Sequence, residues 1–262
     1  MHLRVLLSLM RASIRSQMQY RASFVLYSLG NFSAVAVEVL GLWGLFARFG
    51  DLPGWSLAQV AVLYGMVHIA FALAEAAGRG FDQFASVVRA GDFDRFLLRP
   101  HPTALLLAGQ TFELSRIGRL VAGLVGLLWG ASHASVHWDA LKIATLLGAI
   151  LGGALIFYGV LVMQATLCFF TVESLEIVNA LTYGGIMAAE LPLTIYPKWI
   201  RLLFTFVVPI ACMNYLPASV IFGHPGASPR LALLAPVVGV GFLTLALQLW
   251  KLGERQYRST GS

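Results

Sequence analysis

The sequence contains little charge: Asp, Glu, Lys and Arg make up 11% of its 262 residues, whereas soluble domains carry roughly 25%. Hydrophobic residues account for 58% of the chain, compared with about 45–50% in soluble proteins. Several apolar runs also approach the roughly 20 residues that cross the hydrocarbon layer of a bilayer. This combination excludes a purely soluble globular fold and predicts a polytopic membrane protein.

Cysteine is also scarce. Cys168 and Cys212 both lie within apolar stretches, and they provide neither a disulfide framework nor the spacing of a metal site. Acidic residues number 12 against 18 basic ones, a balance that could indicate nucleic-acid binding. However, the basic residues lie near the ends of apolar runs rather than along one polar face, so we predict no nucleic-acid partner.

Six apolar segments are long enough to be membrane spans, and charged or Gly- and Pro-containing connections separate them. They comprise residues 23–46, 57–77, 105–131, 140–170, 177–193 and 230–250. A seventh candidate, residues 202–223, is uncharged, but Pro209 and Pro217 each remove a backbone donor. Two short broken helices are therefore favoured there over a straight crossing.

The distribution of basic residues favours six spans over seven. With six, both chain ends and the connection after the second span lie on one side, together with 13 of the 18 Lys and Arg residues. Because such residues accumulate in cytoplasmic segments, both termini are predicted to be cytoplasmic, and residues 251–262 form a cytoplasmic tail. Residues 197–222, including Tyr215, then form an extracytoplasmic re-entrant hairpin, which needs shelter by protein or a water-filled cavity.

Residues 1–22 have the pattern of an amphipathic helix. At about 100° per residue, Arg4 and Arg11 fall on one arc and Leu3 and Leu7 on another. Such a helix lies in the cytoplasmic headgroup layer, where apolar burial and basic side chains bind it to membrane lipids. A cleaved presequence is the alternative for an Arg- and Ser-rich segment, although no small-residue cleavage motif precedes the first span.

Residues 78–104, which connect the second and third spans, mix charges with large apolar side chains. Phe93, Phe96, Leu97 and Leu98 stand among charged residues there. A short amphipathic helix that docks into the groove of a partner protein needs this mixture, with the apolar residues as anchors. A helix on the membrane surface fits the periodicity equally well, so the pattern by itself leaves both interpretations open.

Three segments of the chain carry a family resemblance. Residues 91–100, GDFDRFLLRP, resemble the G-x-h-D-x-h-L-L-R-P loop of ABC-2 family permeases, where h is hydrophobic. Residues 206–218, FVVPIACMNYLPA, resemble the stretch that precedes the last span of that family, and residues 257–262, YRSTGS, resemble its closing motif. The three motifs occur in the order of the family and extend over nearly the whole chain.

The resemblance implies an all-α integral membrane fold like that of type V exporters, in which residues 1–262 form a single permease domain of six spans. It implies that residues 78–104 contact a separate ABC ATPase subunit, present in two copies. The coupling residues would be Asp92, Phe93, Asp94, Arg95, Phe96, Leu97, Leu98, Arg99 and Pro100. A second permease, the same or a related chain, would complete the transporter in the bacterial inner membrane, and export is the implied direction.

No motif in the sequence indicates an enzyme. The three lysines follow Leu141, Pro197 and Trp250, so the Gly-Lys-Ser/Thr of a P-loop is not encoded, and neither a zinc-protease motif nor a nucleophile elbow occurs. We therefore expect no catalytic residue, no cofactor and no metal site in this chain. ATP and Mg²⁺ would be bound by the separate ATPase.

Two ionisable residues lie well within predicted spans, Glu38 in the first and His68 in the second. A charge near the bilayer centre costs about 2.5–3.5 kcal/mol on insertion scales, so both are candidates for a substrate or proton path. A structural hydrogen bond between spans is the commoner role. Glu75, Glu113 and Glu190 lie nearer the span ends and are weaker candidates.

A proton-coupled secondary transporter and a non-transporting scaffold are the alternatives to an ABC permease.

Overall fold

The computed structural model describes residues 2–171 and 175–257, and within these ranges the protein is helical and contains no β-strand. The α-helices are α1 (His2–Gln19), α2 (Arg21–Phe49), α3 (Leu57–Asp82), α4 (Phe84–Arg89), α5 (Asp94–Leu97), α6 (Thr103–Gln110), α7 (Ile117–His133), α8 (Ala140–Leu167), α9 (Leu175–Glu190), α10 (Lys198–Leu202), α11 (Ile210–Met213), α12 (Tyr215–Phe222), α13 (Pro229–Leu233) and α14 (Ala235–Gln256). Short 3₁₀ turns cover Leu114–Arg116 and Leu193–Ile195, and Leu203–Val207 is π-helical. The predicted all-α fold is confirmed.

Five helices of the described ranges are long and apolar enough to cross a membrane: α2, α3 with α4, α7, α8 and α14. The bent segment Lys198–Phe222 is a sixth candidate if its two parts form one span. The fifth predicted span, residues 177–193, corresponds to α9, which has 16 described residues. At 1.5 Å per residue this is about 24 Å, shorter than the roughly 30 Å hydrocarbon layer. That α9 crosses the membrane stays a prediction.

The central element of the bundle is α3, which packs against α7 and α8, while α14 packs against α8. Small residues allow these close approaches, as is common between membrane helices. A Cβ atom on Gly130 of α7 would lie 2.6 Å from the carbonyl oxygen of Ala58, and one on Gly152 of α8 would lie 2.4 Å from that of Ala235. In contrast, α2 packs mainly against α7 and lies at the periphery.

The predicted third span, residues 105–131, is broken in the structure. The α6 helix ends at Gln110, and the next helical turn begins only at Leu114. Thr111 has extended backbone angles, with φ −131° and ψ 107°. The start predicted for this span is therefore wrong, because α6 is a separate helix and the span begins near Leu114.

The side chains of α1 stabilise this break. The N–H groups of Phe112 and Leu114 donate to Ser13 Oγ at 3.0 Å and to Gln17 Oε1 at 2.9 Å. Between them, the N–H group of Glu113 donates to the carbonyl oxygen of Ala76 at 3.0 Å. These three donors are therefore all satisfied outside a helix, which offsets the loss of their helical hydrogen bonds.

The segment predicted as a hairpin, residues 197–222, is bent by 78° between Val207 and Ile210, next to Pro209. Pro217 does not break a helix, because it lies in the first turn of α12, where a missing N–H removes no intrahelical bond. The re-entrant path of this segment and its extracytoplasmic position stay predictions.

Contacts place the functional segments at two ends of the bundle. At one end, α1 packs against α6, and Trp250 near the end of α14 packs against Phe81 of α3. At the other end, Trp55 in the α2–α3 connection stacks on His224 with ring centroids 4.2 Å apart. The N-terminal helix, the loop after α3 and the end of α14 thus lie together, which is the arrangement that six crossings require. Residues 258–262 of the predicted tail, including most of its closing motif, lie outside the described residues.

Candidate functional site

The loop that follows α3 folds back onto the protein rather than extending from it. After α4, the chain turns at Gly91, whose φ of +69° favours glycine, and enters α5. Within residues 92–100, which the resemblance assigned to coupling, the helix is only one turn long. It ends at Leu97, shortly before Pro100, because the residue that precedes a proline is disfavoured in the helical conformation.

An aromatic core holds this loop to the end of α14. The Phe93 ring lies 5.1 Å from that of Phe84 and 4.9 Å from that of Tyr257, between ring centroids, and Trp250 lies 4.9 Å from Phe84. The indole N–H of Trp250 donates to Thr103 Oγ1 at 3.0 Å, which also ties α14 to α6. We call the set Phe81, Phe84, Phe93, Phe96, Phe169, Trp250 and Tyr257 the aromatic core.

The expectation that Phe93 and Phe96 project into a partner's groove differs from the structure. Both side chains are buried within the protein itself, because the aromatic core supplies their packing partners. The residues that remain available to a partner form what we call the exposed tip. It comprises Arg95, Leu97, Leu98, Arg99 and Pro100. The Leu98 side chain is the most open apolar group there, with 86% of the residue exposed.

The Arg95 side chain of the tip is only weakly constrained. Asp92 Oδ1 lies 3.2 Å from Arg95 Nη1, an exposed ion pair of a type that contributes about 0–1 kcal/mol. Burial, and then the neighbouring carboxylate of Asp94, raises the pKa of the Tyr257 phenol above its usual value. The phenol therefore stays neutral at physiological pH, as suits a ring packed against Phe93.

A second feature is an ionic cluster where α3 meets the start of α7. Its members are Glu75, Arg79, Asp82, Glu113, Arg116 and Arg119. Arg116 Nη2 lies 3.0 Å from Glu75 Oε1 and 3.3 Å from Glu113 Oε2. Arg79 Nε lies 2.8 Å from Glu113 Oε2. Three carboxylates face three guanidinium groups, so the cluster is electrically balanced.

The ionic cluster is most deeply buried at Glu75, whose side chain is 3% exposed. Arg119 Nη1 lies 3.7 Å from Glu75 Oε2, and the Arg119 guanidinium carbon is 4.9 Å from the centre of the Phe71 ring. Arg116 also donates to Asn31 Oδ1 of α2 at 3.0 Å. The cluster therefore joins α2, α3 and α7 at the end of the bundle that carries the loop.

A third feature lies near the middle of the bundle and unites Glu38, His68 and Glu190, which we call the membrane triad. His68 Nε2 is 3.1 Å from Glu190 Oε1 and 3.7 Å from Glu38 Oε2. The Tyr64 hydroxyl donates to Glu38 Oε2 at 2.9 Å, and its ring lies 4.0 Å from that of His68. Glu38 and His68, the two candidates that the sequence indicated, therefore lie close together. Glu190, a weaker candidate in the sequence, lies beside them.

The three residues of the triad differ in exposure. His68 is 2% exposed, whereas the Glu38 side chain is 48% exposed and that of Glu190 is 19% exposed. A half-exposed carboxylate at this depth is costly against lipid tails. This face therefore suits a polar cavity or a protein partner, and the triad has the chemistry to bind a proton or a cation.

The span-length helices of the described ranges define an integral membrane protein. The chain also matches the sequence model of a family described as ABC-2 family transporter protein, over residues 32–261. The protein therefore belongs to the ABC-2 transporter family, as the motif resemblance indicated. No curated protein and no solved structure matches the chain significantly.

Glu75→Ala should strongly destabilise the protein, because it leaves the guanidinium groups of Arg116 and Arg119 without their most buried partner. Breaking a buried ion pair costs about 3–5 kcal/mol, whereas the exposed pair lost in Asp92→Ala is worth about 0–1 kcal/mol. Unfolding midpoints in detergent, followed by the loss of monodisperse protein on heating, compare the two variants. Equal midpoints for Glu75→Ala and the wild type would show that the ionic cluster is not structural.

Proposed function

We propose that this membrane permease subunit of an ABC transporter is one half of an exporter. In this proposal, a separate ATPase drives it by contacting the exposed tip. The observation that carries this proposal is the position of residues 91–100: the family-like motif forms a tip that is open to a partner and anchored in the protein by Phe93 and Phe96. The export direction comes from the family resemblance.

The tip has the composition of a small docking surface. Leu97 and Leu98 are exposed apolar groups, and Arg95 and Arg99 flank them. Apolar anchors surrounded by a polar rim are the usual composition of a protein interface. Arg99 lies over the Phe96 ring, with its guanidinium carbon 5.9 Å from the ring centre, so its side chain is partly ordered for pairing with a partner carboxylate.

The aromatic core supports transmission from the tip to the membrane helices. Phe93 and Phe96, next to the tip, pack in the same core as Phe81 of α3 and Trp250 of α14. Packed aromatic side chains deform little. A displacement of the tip by ATP binding would therefore move α3 and α14 rather than bend the loop.

Further parts of the proposal concern assembly. A six-span chain is half of a transporter of this family, so we propose two ATPase copies and a second permease, the same or a related chain. ATP and Mg²⁺ would be held by the ATPase. The half-exposed Glu38 on the peripheral helix α2 supports a second permease or a shared substrate path beside it, because lipid tails do not solvate a carboxylate.

The proposed location is the bacterial inner membrane, with both termini cytoplasmic. It is supported by the 13 of 18 basic residues that six crossings assign to one side. The face of α1 formed by residues 5, 6, 9, 10, 13 and 14 is partly buried, whereas Arg11 and Arg15 are exposed. These arginines are therefore available to anionic lipid headgroups, as a helix in the headgroup layer requires.

The membrane triad favours a second candidate function, a proton-coupled transporter that uses Glu38 or His68. In that case, transport would persist in a preparation that contains no ATPase. A scaffold that moves no solute would show neither transport nor stimulated ATP hydrolysis. Co-purification of the tagged chain from its native host separates these functions from the proposed one, because only the ABC permease requires a Walker-type ATPase.

The proposed topology predicts which introduced cysteines an impermeant thiol reagent reaches. In a background without Cys168 and Cys212, Asp51→Cys and Arg230→Cys should react from outside intact cells, since both positions are exposed. Arg95→Cys is equally exposed but should react only after the membrane is permeabilised. Labelling of Arg95→Cys in intact cells would overturn the orientation.

The docking role of the tip predicts that Leu98→Ala weakens binding of the ATPase. Truncating an apolar anchor at an interface typically costs about 2 kcal/mol, whereas Arg95→Ala removes a rim charge worth about 0–1 kcal/mol. Because Leu98 is 86% exposed, its truncation should leave the unfolding midpoint unchanged. The measurement is the amount of ATPase retained on the tagged chain after detergent purification, together with ATP hydrolysis, at matched expression.

Phe96→Ala serves as a contrasting variant. Its buried ring should make it destabilise the permease itself, by about 3–5 kcal/mol for a core phenylalanine. If a double variant, Leu97→Ala with Leu98→Ala, retains the ATPase and hydrolyses ATP normally, the tip is not the coupling surface.

A further inference from the structure

The structure assigns a further site to this chain: we propose that Glu38, His68 and Glu190 bind a divalent transition-metal cation between α2, α3 and α9. The three residues each present one ligand atom, and these atoms all lie within 4.8 Å of one another. The proposal does not depend on the ATPase partner, and it departs from the expectation that the chain holds no metal site.

The geometry of the ligand atoms fits a metal. Zn²⁺ binds histidine nitrogen and carboxylate oxygen at about 2.0–2.2 Å, so neighbouring ligands of a tetrahedral site lie about 3.3–3.6 Å apart. The distances from His68 Nε2 to Glu190 Oε1 and Glu38 Oε2 are 3.1 and 3.7 Å. Small rotations of the two carboxylates would therefore bring all three atoms to coordination distance of one ion.

The negative charge of the two carboxylates also favours binding of a cation. Two carboxylates share one imidazole, and no Lys or Arg of the described ranges forms an ion pair with Glu38 or Glu190. This differs from the ionic cluster, in which guanidinium groups balance the carboxylates. A proton on His68 would leave one negative charge unbalanced, whereas a divalent ion neutralises both carboxylates.

One hydrogen bond typical of the second shell of a metal site is present at Glu38, whereas His68 Nδ1 has no partner in the described residues. Ligating carboxylates are generally held by a further hydrogen bond, and the Tyr64 hydroxyl donates such a bond to Glu38 Oε2. The mixture of imidazole and carboxylate favours Zn²⁺ and its neighbours in the first transition series over Mg²⁺ or Ca²⁺, which prefer oxygen ligands alone. The exposed side of Glu38 leaves a coordination position for water or substrate.

The test uses the full-length chain, purified with any subunits that accompany it, freed of its affinity tag and treated with a chelator. Zn²⁺ is then titrated against a chromophoric competitor, and the midpoint of thermal unfolding is measured with and without Zn²⁺. We expect one Zn²⁺ per chain and a higher midpoint with the metal, because a ligand that binds only the folded state stabilises it.

Four variants make the assignment specific. His68→Gln and Glu190→Gln should each weaken Zn²⁺ binding by at least about 100-fold, and Tyr64→Phe should weaken it by about 10-fold, since outer partners contribute less than ligands. His224→Gln, a histidine outside the triad, should bind Zn²⁺ as the wild type does. Midpoints measured without metal show whether each variant is folded.

Three results would overturn the proposal. The first is a wild-type chain that binds no Zn²⁺, and the second is undiminished binding by folded His68→Gln. The third is a wild-type midpoint that responds to pH through His68 but not to Zn²⁺, since the triad would then hold a proton rather than a metal. Loss of Zn²⁺ binding would leave the ATPase proposal untouched, because that proposal depends on the exposed tip.

Discussion

Ionisable side chains inside a bilayer need partners, since hydrocarbon offers no water to solvate them. This constraint explains where the charges of the chain lie. In the ionic cluster, charges of opposite sign are paired: Glu75 of α3 faces Arg119 of α7 and Arg116 of the turn that precedes α7. In the membrane triad the carboxylates are only partly compensated, because both of them share one imidazole. The first arrangement suits a structural role, and the second suits the proposed binding site.

All three features of the molecule converge on α3. His68 belongs to the membrane triad, Glu75 to the ionic cluster and Phe81 to the aromatic core. Thirteen residues of helix separate His68 from Phe81, or about 20 Å at 1.5 Å per residue. The α3 helix is continuous and largely buried. In the proposed function it therefore connects the contact with the ATPase to the candidate substrate path.

Much of this architecture could be predicted from sequence, because hydrophobic runs and the positions of Lys and Arg report directly on membrane insertion. Most of the helical spans followed from those signals, and the family followed from the motifs in residues 91–100, 206–218 and 257–262. The break after α6 could not, because Ser13 and Gln17 satisfy its N–H groups from 99 and 97 residues away. A hydropathy window contains only neighbouring residues and so extended the third span through the break.

Contacts between residues far apart in the sequence also kept parts of the sites from being predicted. Glu38 and His68 were identifiable as charges within spans, but Glu190 lies 122 residues from its partner His68 and looked like a span-end residue. The inward packing of Phe93 and Phe96 was also hidden, because an amphipathic pattern does not reveal which neighbour covers the apolar face. Phe93, for example, is covered by Trp250 and Tyr257 at the far end of the sequence.

Coupling in the proposed transporter requires that a separate ATPase contacts the exposed tip. Cross-linking from Leu98→Cys, in a chain without Cys168 and Cys212, detects this contact. A short thiol-directed photo-cross-linker attached there should capture a subunit that contains a Walker A sequence, identified by mass spectrometry, whereas the same reagent on Asp51→Cys at the opposite end should not. If the Leu98→Cys chain captures only lipid in membranes that contain the ATPase, the tip lies on the membrane surface and the account of coupling is contradicted.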